Sequence, residues 1–240
     1  TAYEIRLSLV GSEMCIRDSH RDVKSWVKSL DHMRSLKPDY LLPSHTKPLE
    51  GEEVLETLTI YRDAIQFVHD QTIRLMNKGH SPDEISHMIQ LPPEVSSSPF
   101  VREFYGTVRW SVKSIFNGYL GWFDGNVSNL DPLPSEDYAR RLAILSGGEE
   151  KLFEALQEAV ESEDMQWALQ LSDSLLALNY KIDSTKKLRQ EAIQYIGDRA
   201  LNPNKRNYFL SSANELNANY QAEPLLPQTS ELLSEISIDM

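Results

Sequence analysis

The segment FYGTVRWSVKSIFNGYLGWFDGN, residues 104–126, is rich in aromatic side chains and decides the expected fold. Its aromatic residues are Phe104, Tyr105, Trp110, Phe116, Tyr119, Trp122 and Phe123. Helical spacing assigns Trp110 and Tyr119 to one stripe together with Ile115 or Phe116. Aromatic side chains bury large areas and dominate core energetics. The segment therefore predicts a buried helix around which the rest of the chain packs.

Length and composition restrict the class of protein. The chain has 240 residues, of which 40% are hydrophobic and 25% charged, which is ordinary for a globular protein with one or two domains. No apolar run approaches the roughly 20 residues of a membrane span. The formal net charge of −12 argues against a nucleic-acid partner, because phosphate binding requires a basic face. The single cysteine, Cys15, excludes an intrachain disulfide.

Helical periodicity extends over most of the remaining chain. Helices are predicted over residues 21–35, 52–77, 135–145, 149–162, 165–179, 185–200 and 207–216, with a short one starting at Ser81-Pro82-Asp83-Glu84. Residues 39–45, DYLLPSH, predict a short buried strand that ends at a histidine. In the later helices small and large apolar residues alternate, as in tetratricopeptide-like helix pairs, although no 34-residue period is present.

Three segments, in this order, carry a family resemblance. They are YRDAIQFVHDQTIRLMNKG (residues 61–79), the aromatic segment above and NPNKRNYFLSSANEL (residues 202–216). Over residues 21–216 the chain resembles the alkyl sulfatase branch of the metallo-β-lactamase superfamily. In that branch a binuclear zinc domain precedes an all-helical dimerisation domain, and a sterol-carrier-like domain often follows. The resemblance implies a mainly α fold with tetratricopeptide-like helix pairs, preceded by one helix and the last strand of an αβ/βα zinc domain.

The expected domain boundaries follow from the same resemblance. Residues 1–19 resemble a translated sequencing adapter and are set apart from the fold, the alternative being a genuine β-strand. On the adapter interpretation the true N-terminus is missing, so the sequence does not indicate the cellular compartment. Residues 20–51 are expected to be the end of the zinc domain and residues 52–216 the helical dimerisation domain. Residues 217–240 are expected to be a linker in which a truncated sterol-carrier-like domain can begin.

His45 is the candidate metal ligand. In the resembled family a histidine at the end of the last strand, before a Pro-x-x-Gly turn, binds one of two zinc ions, and residues 45–51 read HTKPLEG. The family's other ligands, a His-x-His-x-Asp-His run and two glutamates, lie upstream, and no such run is present in this chain. Because zinc sites use three or four protein ligands, this fragment alone is expected to be inactive.

Tyr105 is the candidate catalytic residue. At the matching position some relatives carry a histidine, which the helical domain contributes to the mouth of the substrate pocket. A tyrosine there can donate a hydrogen bond to the ester or leaving oxygen. His69, inside the long predicted helix, is interpreted as a core or interface histidine.

The resemblance implies a zinc-dependent alkyl sulfatase that hydrolyses alkyl sulfate esters to an alcohol and sulfate. Two zinc ions would activate a water and orient the sulfate. This part of the protein would mainly supply homodimerisation and one wall of the active site. Two alternatives stay open, namely a non-catalytic tetratricopeptide-like interaction module and the same metal fold acting on another ester or a lactam.

Overall fold

The computed structural model describes residues 22–43 and 47–216. The predictions for residues 1–19 and 217–240 lie outside the described residues. The chain divides into two compact units. Among the described residues the first unit contains 22–43, 47–138 and 199–207, and the second contains 139–198 and 208–216. The described part is mainly helical with one two-stranded sheet, which confirms the predicted fold class. No described helix is both long and apolar enough to cross a membrane.

The first unit consists of helices and one small hairpin. In chain order its elements are α1 (Val23–Ser35), β1 (Tyr40–Leu41), β2 (Leu49–Glu50), α2 (Glu52–Met76), α3 (Pro82–Met88), the single turn α4 (Pro93–Ser96), a 3-10 turn (Pro99–Val101), α5 (Val108–Leu120), a second 3-10 turn (Val127–Asn129) and the start of α6 (Ser135–Ser146).

Side-chain caps explain where several of these helices begin. The Asp22 side chain accepts a hydrogen bond from the Lys24 backbone at the start of α1. At α3 the Ser81 hydroxyl accepts from the Glu84 backbone at 3.3 Å, and Glu84 Oε2 accepts from the Ser81 backbone at 2.8 Å. This reciprocal pair satisfies two N–H groups that a helix leaves without partners. It confirms the predicted start signal.

Two apolar clusters form the core of the first unit. One lies between α1, β2 and α2, and the other lies where α2, α3 and α5 pack together. The buried members of the first are Leu30, Leu49, Val54 and Leu58. Those of the second are Val68, Leu75, Ile85, Ile89, Val112, Ile115 and Phe116. The long helix α2 contributes to both clusters, so it is the element on which the unit is assembled.

The aromatic segment forms the predicted helix, but its aromatic side chains are not the core. Of the seven only Phe116 is buried, and Trp122 is 73% exposed. The single stripe predicted for Trp110 and Tyr119 is wrong, because nine residues make two and a half turns and place the two on opposite sides of α5. Val112 continues the buried side of α5 together with Phe116.

The predicted strand over residues 39–45 is shorter and more exposed than expected. Only Tyr40–Leu41 is a strand, and it pairs antiparallel with Leu49–Glu50. Tyr40 is 71% exposed, so the expectation of a buried strand is wrong at this residue. The reason is that Leu49 faces the core, whereas among the described residues nothing covers the opposite face of the hairpin. Residues 44–46 lie outside the described part.

The second unit is a helical assembly. Besides the end of α6 it holds α7 (Glu149–Glu161), α8 (Met165–Ala177), most of α9 (Ile182–Arg199) and the later part of α10 (Pro203–Glu215). Helices α7 and α8 pack on each other and are joined by a three-residue turn, whose last residue, Asp164, caps α8. Buried residues in its core include Leu152, Leu156, Ala159, Ala168, Leu171, Leu175 and Ala192. This mixture of small and large side chains allows close helix packing, as expected for helix pairs.

Candidate functional site

Tyr105 lies in an irregular loop before α5. The loop comprises residues 102–107 and follows the first 3-10 turn. The Tyr105 side chain is 47% exposed, and its neighbour Phe104 is exposed to a similar degree. An exposed phenol can reach a ligand, whereas a buried one cannot. The position therefore allows the role predicted from the sequence, and no described contact tests that role.

Two buried asparagines hold this loop by its backbone, and we name the pair the Asn202/Asn204 clamp. Asn202 Nδ2 donates to the Glu103 carbonyl oxygen at 2.7 Å and to the Gly106 carbonyl oxygen at 3.3 Å. Asn204 Nδ2 donates to the Tyr105 carbonyl oxygen at 2.8 Å. Both asparagines are buried although the residues they hold are exposed. All of these residues belong to the first unit.

The first asparagine of the clamp also begins a helix. Asn202 Oδ1 accepts from the Lys205 backbone at 2.9 Å, and Pro203 occupies the first position of α10. Asparagine at the cap followed by proline is a typical helix start. The prediction that this helix begins at residue 207 is therefore wrong by four residues. The Asn-Pro-Asn sequence was the signal for both the cap and the clamp, and sequence reasoning missed it.

Two side chains of the loop bond to the backbone at the start of α5. Glu103 Oε1 accepts from the Val108 backbone at 2.7 Å, and Thr107 Oγ1 accepts from the Trp110 backbone at 3.1 Å. These bonds satisfy two N–H groups in the first turn of α5. The loop is thus fixed on both sides, by the clamp at its carbonyl groups and by the cap of α5 at its end.

His69 is a buried histidine with two hydrogen-bond partners. It is 5% exposed, its Nδ1 lies 2.8 Å from Asp70 Oδ1, and its Nε2 lies 2.9 Å from the Tyr119 hydroxyl oxygen. In the tautomer with the hydrogen on Nδ1, Nδ1 donates to the Asp70 carboxylate and Nε2 accepts the Tyr119 hydroxyl hydrogen. This arrangement joins α2 to α5 and agrees with the interpretation of His69 as a core histidine.

A shallow groove between α1 and α2 lies beside His69. Its lining consists of Lys24, Val27, Lys28, Asp31, Arg62, Gln66, His69 and Asp70. Arg62 bonds to Asp31 at 3.0 Å and to Asp63 at 2.8 Å. The Arg62 guanidinium, with a further contribution from Arg34, lowers the pKa of the Asp31 carboxyl. The carboxylates thus neutralise Arg62, and the groove shows no concentration of one sign of charge.

His45, the predicted metal ligand, lies outside the described residues. Among the residues that the structure describes, no three His, Cys, Asp or Glu side chains are grouped so that they can hold a metal ion. The described residues therefore provide no zinc site by themselves.

The alkyl sulfatase dimerisation family matches residues 81–219, more than half of the chain. The chain belongs to this family. A linear primary-alkylsulfatase from a Pseudomonas species is 40% identical over 208 residues, which cover 86% of this chain and 39% of that protein. The alkyl/aryl-sulfatase BDS1 of Saccharomyces cerevisiae is 30% identical over 82% of this chain and 31% of its own length.

A solved structure has the same fold over a similar share of the chain. The stereoselective inverting sec-alkylsulfatase Pisa1 from Pseudomonas superposes with a TM-score of 0.77 at 28% identity, over 84% of this chain and 33% of that one. The chain therefore spans about a third of the length of the relatives it matches. The predicted resemblance to alkyl sulfatases is confirmed.

Proposed function

We propose that this chain is the dimerisation part of an alkyl sulfatase that hydrolyses alkyl sulfate esters to an alcohol and sulfate. The observation that carries the proposal is the match of residues 81–219 to the alkyl sulfatase dimerisation family. The named alkylsulfatases that align with more than four fifths of the chain support it. The non-catalytic tetratricopeptide-like module is not favoured by any of these comparisons.

The proposed homodimer is supported by exposed apolar side chains of the first unit, which begin at Tyr119 near the end of α5. Between residues 119 and 138 the exposed large apolar residues are Tyr119, Leu120, Trp122, Val127, Leu130, Leu133 and Tyr138. We name this stretch the exposed apolar segment. Large apolar area that one chain leaves in water favours association, and a two-fold partner can cover the same segment on both copies.

Sedimentation equilibrium of the chain tests the dimer. We expect twice the monomer mass for the unsubstituted chain and a shift toward monomer for Trp122→Asp, because a charge in an apolar contact loses its hydration. Leu145→Asp is the matched control, since Leu145 is 85% exposed but lies outside the exposed apolar segment. A chain that is monomeric at all concentrations contradicts the dimer. A Trp122→Asp variant as dimeric as the control contradicts the assignment of the interface.

Tyr105 is proposed to donate a hydrogen bond to the ester or leaving oxygen of the substrate. Its exposed side chain on a fixed loop supports this role. Hydrolysis consumes water and yields an alcohol, sulfate and a proton, and the bridging ester oxygen gains negative charge whichever of its two bonds breaks. A donor at that oxygen stabilises the charge. Tyr105→Phe in the full-length protein is expected to lower kcat for dodecyl sulfate about tenfold or more. An unchanged kcat argues against the role.

Zinc in the intact protein, with His45 as one ligand, is also a proposal. It is supported by the family of the chain and by the HTKPLEG sequence that starts at His45. Metal analysis of the full-length gene product is expected to give about two zinc ions per chain, and His45→Ala is expected to lower that content. His32→Ala is the control, because His32 is exposed on α1. A metal-free protein without sulfatase activity favours the non-catalytic module.

The identity of the ester is tested separately. Sulfate release from dodecyl sulfate is compared with hydrolysis of the matching phosphate ester, carboxylate ester and a β-lactam. Preference for dodecyl sulfate supports the alkyl sulfatase, and preference for another substrate supports the same fold with a different specificity.

A further inference from the structure

The loop that carries Tyr105 is ordered by residues almost one hundred positions away. The bonds from Asn202 and Asn204 to Glu103 and Tyr105 each span 99 residues of sequence. Three carbonyl groups of one loop, those of residues 103, 105 and 106, accept from only two side chains. A helix or strand satisfies such groups through its own backbone, and this loop has no regular structure to do so.

We propose that Asn202 and Asn204 are positioning residues for the sulfatase reaction, which act by fixing the backbone on which Tyr105 is presented. The inference rests on the proposed function of Tyr105. It adds that the backbone conformation at Tyr105 sets the position of the phenol, and that the clamp holds this backbone in one conformation.

The carboxamide of Asn202 suits this task because it has both a donor and an acceptor. Its Nδ2 holds the loop while its Oδ1 caps α10 through Lys205. Aspartate has the same shape and is an equally good cap, yet it has no N–H to donate. Its charge would also face the carbonyl oxygen of Glu103. An Asn202→Asp change therefore removes the Asn202 bonds of the clamp and keeps the helix cap.

Asn204 acts closest to the reacting group. Its side chain is 4% exposed and bonds to the carbonyl of Tyr105 itself. In a buried place the loss of this donor leaves the carbonyl without its partner, and the loop relaxes toward conformations in which water replaces the bond. A displacement of about 1 Å at a catalytic group is enough to lower a rate about one-hundredfold.

The clamp is buried and the residues that it holds are exposed, as expected if the Tyr105 loop is fixed in its active conformation before the substrate binds. Tyr105 is about half exposed while its backbone carbonyl is bonded to the buried Asn204. A group fixed before the substrate arrives avoids the entropy of ordering it in the complex.

The kinetic test is a double-mutant cycle in the full-length, metal-loaded protein with dodecyl sulfate. Asn204→Ser is expected to lower kcat about tenfold with a smaller effect on KM. Tyr105→Phe combined with Asn204→Ser is expected to be no slower than Tyr105→Phe alone, because the clamp acts through the phenol. Effects that multiply in the double variant overturn the proposal. Asn207→Ser is the matched control, since Asn207 lies exposed on the same helix.

A spectroscopic test on the present chain does not depend on activity. 3-Fluorotyrosine at position 105 is expected to give one sharp fluorine resonance, which shifts and broadens in Asn202→Asp and Asn204→Ser but not in Asn207→Ser. An unchanged resonance in both clamp variants overturns the proposal even if their activity falls. If the unsubstituted full-length protein releases no sulfate, the proposed function and the catalytic part of this inference fail together, and the fluorine spectra still decide whether the clamp orders the loop.

Discussion

At the scale of single residues, buried polar side chains with two partners connect the elements of the first unit. His69 lies between Asp70 and Tyr119, and Asn202 lies between the loop of Glu103 and its own helix. Each of these side chains uses a donor and an acceptor at the same time. Replacement of one of them therefore disturbs two places at once.

His69→Ala is expected to lower the free energy of unfolding by about 1–3 kcal/mol, because it leaves a void and removes the bond that joins α2 to α5. Chemical denaturation of the chain measures this change. His32→Ala on the exposed side of α1 is expected to differ from the unsubstituted chain by less than about 0.5 kcal/mol. Equal stability of the two variants would show that the His69 contacts contribute nothing.

The cap of α3 is expected to make stability depend on pH. The Ser81 backbone N–H, then its hydroxyl, and the nearby His80 lower the pKa of Glu84 from its ordinary 4.5. Because the folded-state pKa is depressed, the contribution is fully present above pH 4.5 and is lost as the pH falls through the folded value. Thermal unfolding between pH 3 and 7 should therefore show a steeper acid decline for the unsubstituted chain than for Glu84→Gln. Parallel profiles would contradict this account.

At the scale of elements, helix packing leaves little room at one glycine of α9. A Cβ on Gly197 would lie 2.8 Å from Leu210 Cδ2 and 3.2 Å from Phe209 Cβ. Alanine favours a helix over glycine by about 1 kcal/mol, but overpacking costs about 1–3 kcal/mol. Gly197→Ala is thus expected to lower stability by up to about 2 kcal/mol in denaturant titrations.

The matched control on α9 is Glu191→Ala, because Glu191 is exposed and alanine is also the better helix former there. This variant should be neutral or slightly more stable. A Gly197→Ala variant as stable as the unsubstituted chain would contradict this account, because it would show that α10 accommodates the methyl group without loss of stability.

Most helices, and the cap of α3, were predicted from local sequence. The Ser81–Glu84 pair and the helix of the aromatic segment were predicted because a cap and a 3.6-residue period depend on neighbours a few positions away. The start of α10 at Pro203 was missed because the Asn-Pro-Asn sequence was not read as a cap. The clamp itself was beyond local reasoning, since its partners are 99 residues apart.

The exposure of the aromatic residues could not be predicted from helical periodicity either. A helical stripe shows which residues share a side of a helix, and it does not show which side the other helices cover. On α5 that side is set by Val112 and Phe116 against α2 and α3, whereas Trp122 follows the helix and stays in water. For the site, the role of Tyr105 and the role of His45 both stay predictions.

At the scale of the whole molecule, association is expected to contribute to stability. If two copies cover the exposed apolar segment, dimer formation stabilises the folded chain by mass action. The unfolding temperature should then rise by several degrees between about 1 and 100 μM chain, and this dependence should disappear in Trp122→Asp. Calorimetry at several concentrations measures it. A concentration-independent unfolding temperature for the unsubstituted chain would contradict a stabilising dimer.

The long span of the Asn202/Asn204 clamp has a consequence for the order of biosynthesis. The ribosome completes residues 103–106 well before it adds residues 202–204, so the loop emerges without the side chains that hold it. Contacts between distant residues form late because closing a long loop costs entropy. The Tyr105 loop is therefore among the last parts of the first unit to mature, and a nascent chain released before residue 204 would carry the phenol on an unfixed backbone.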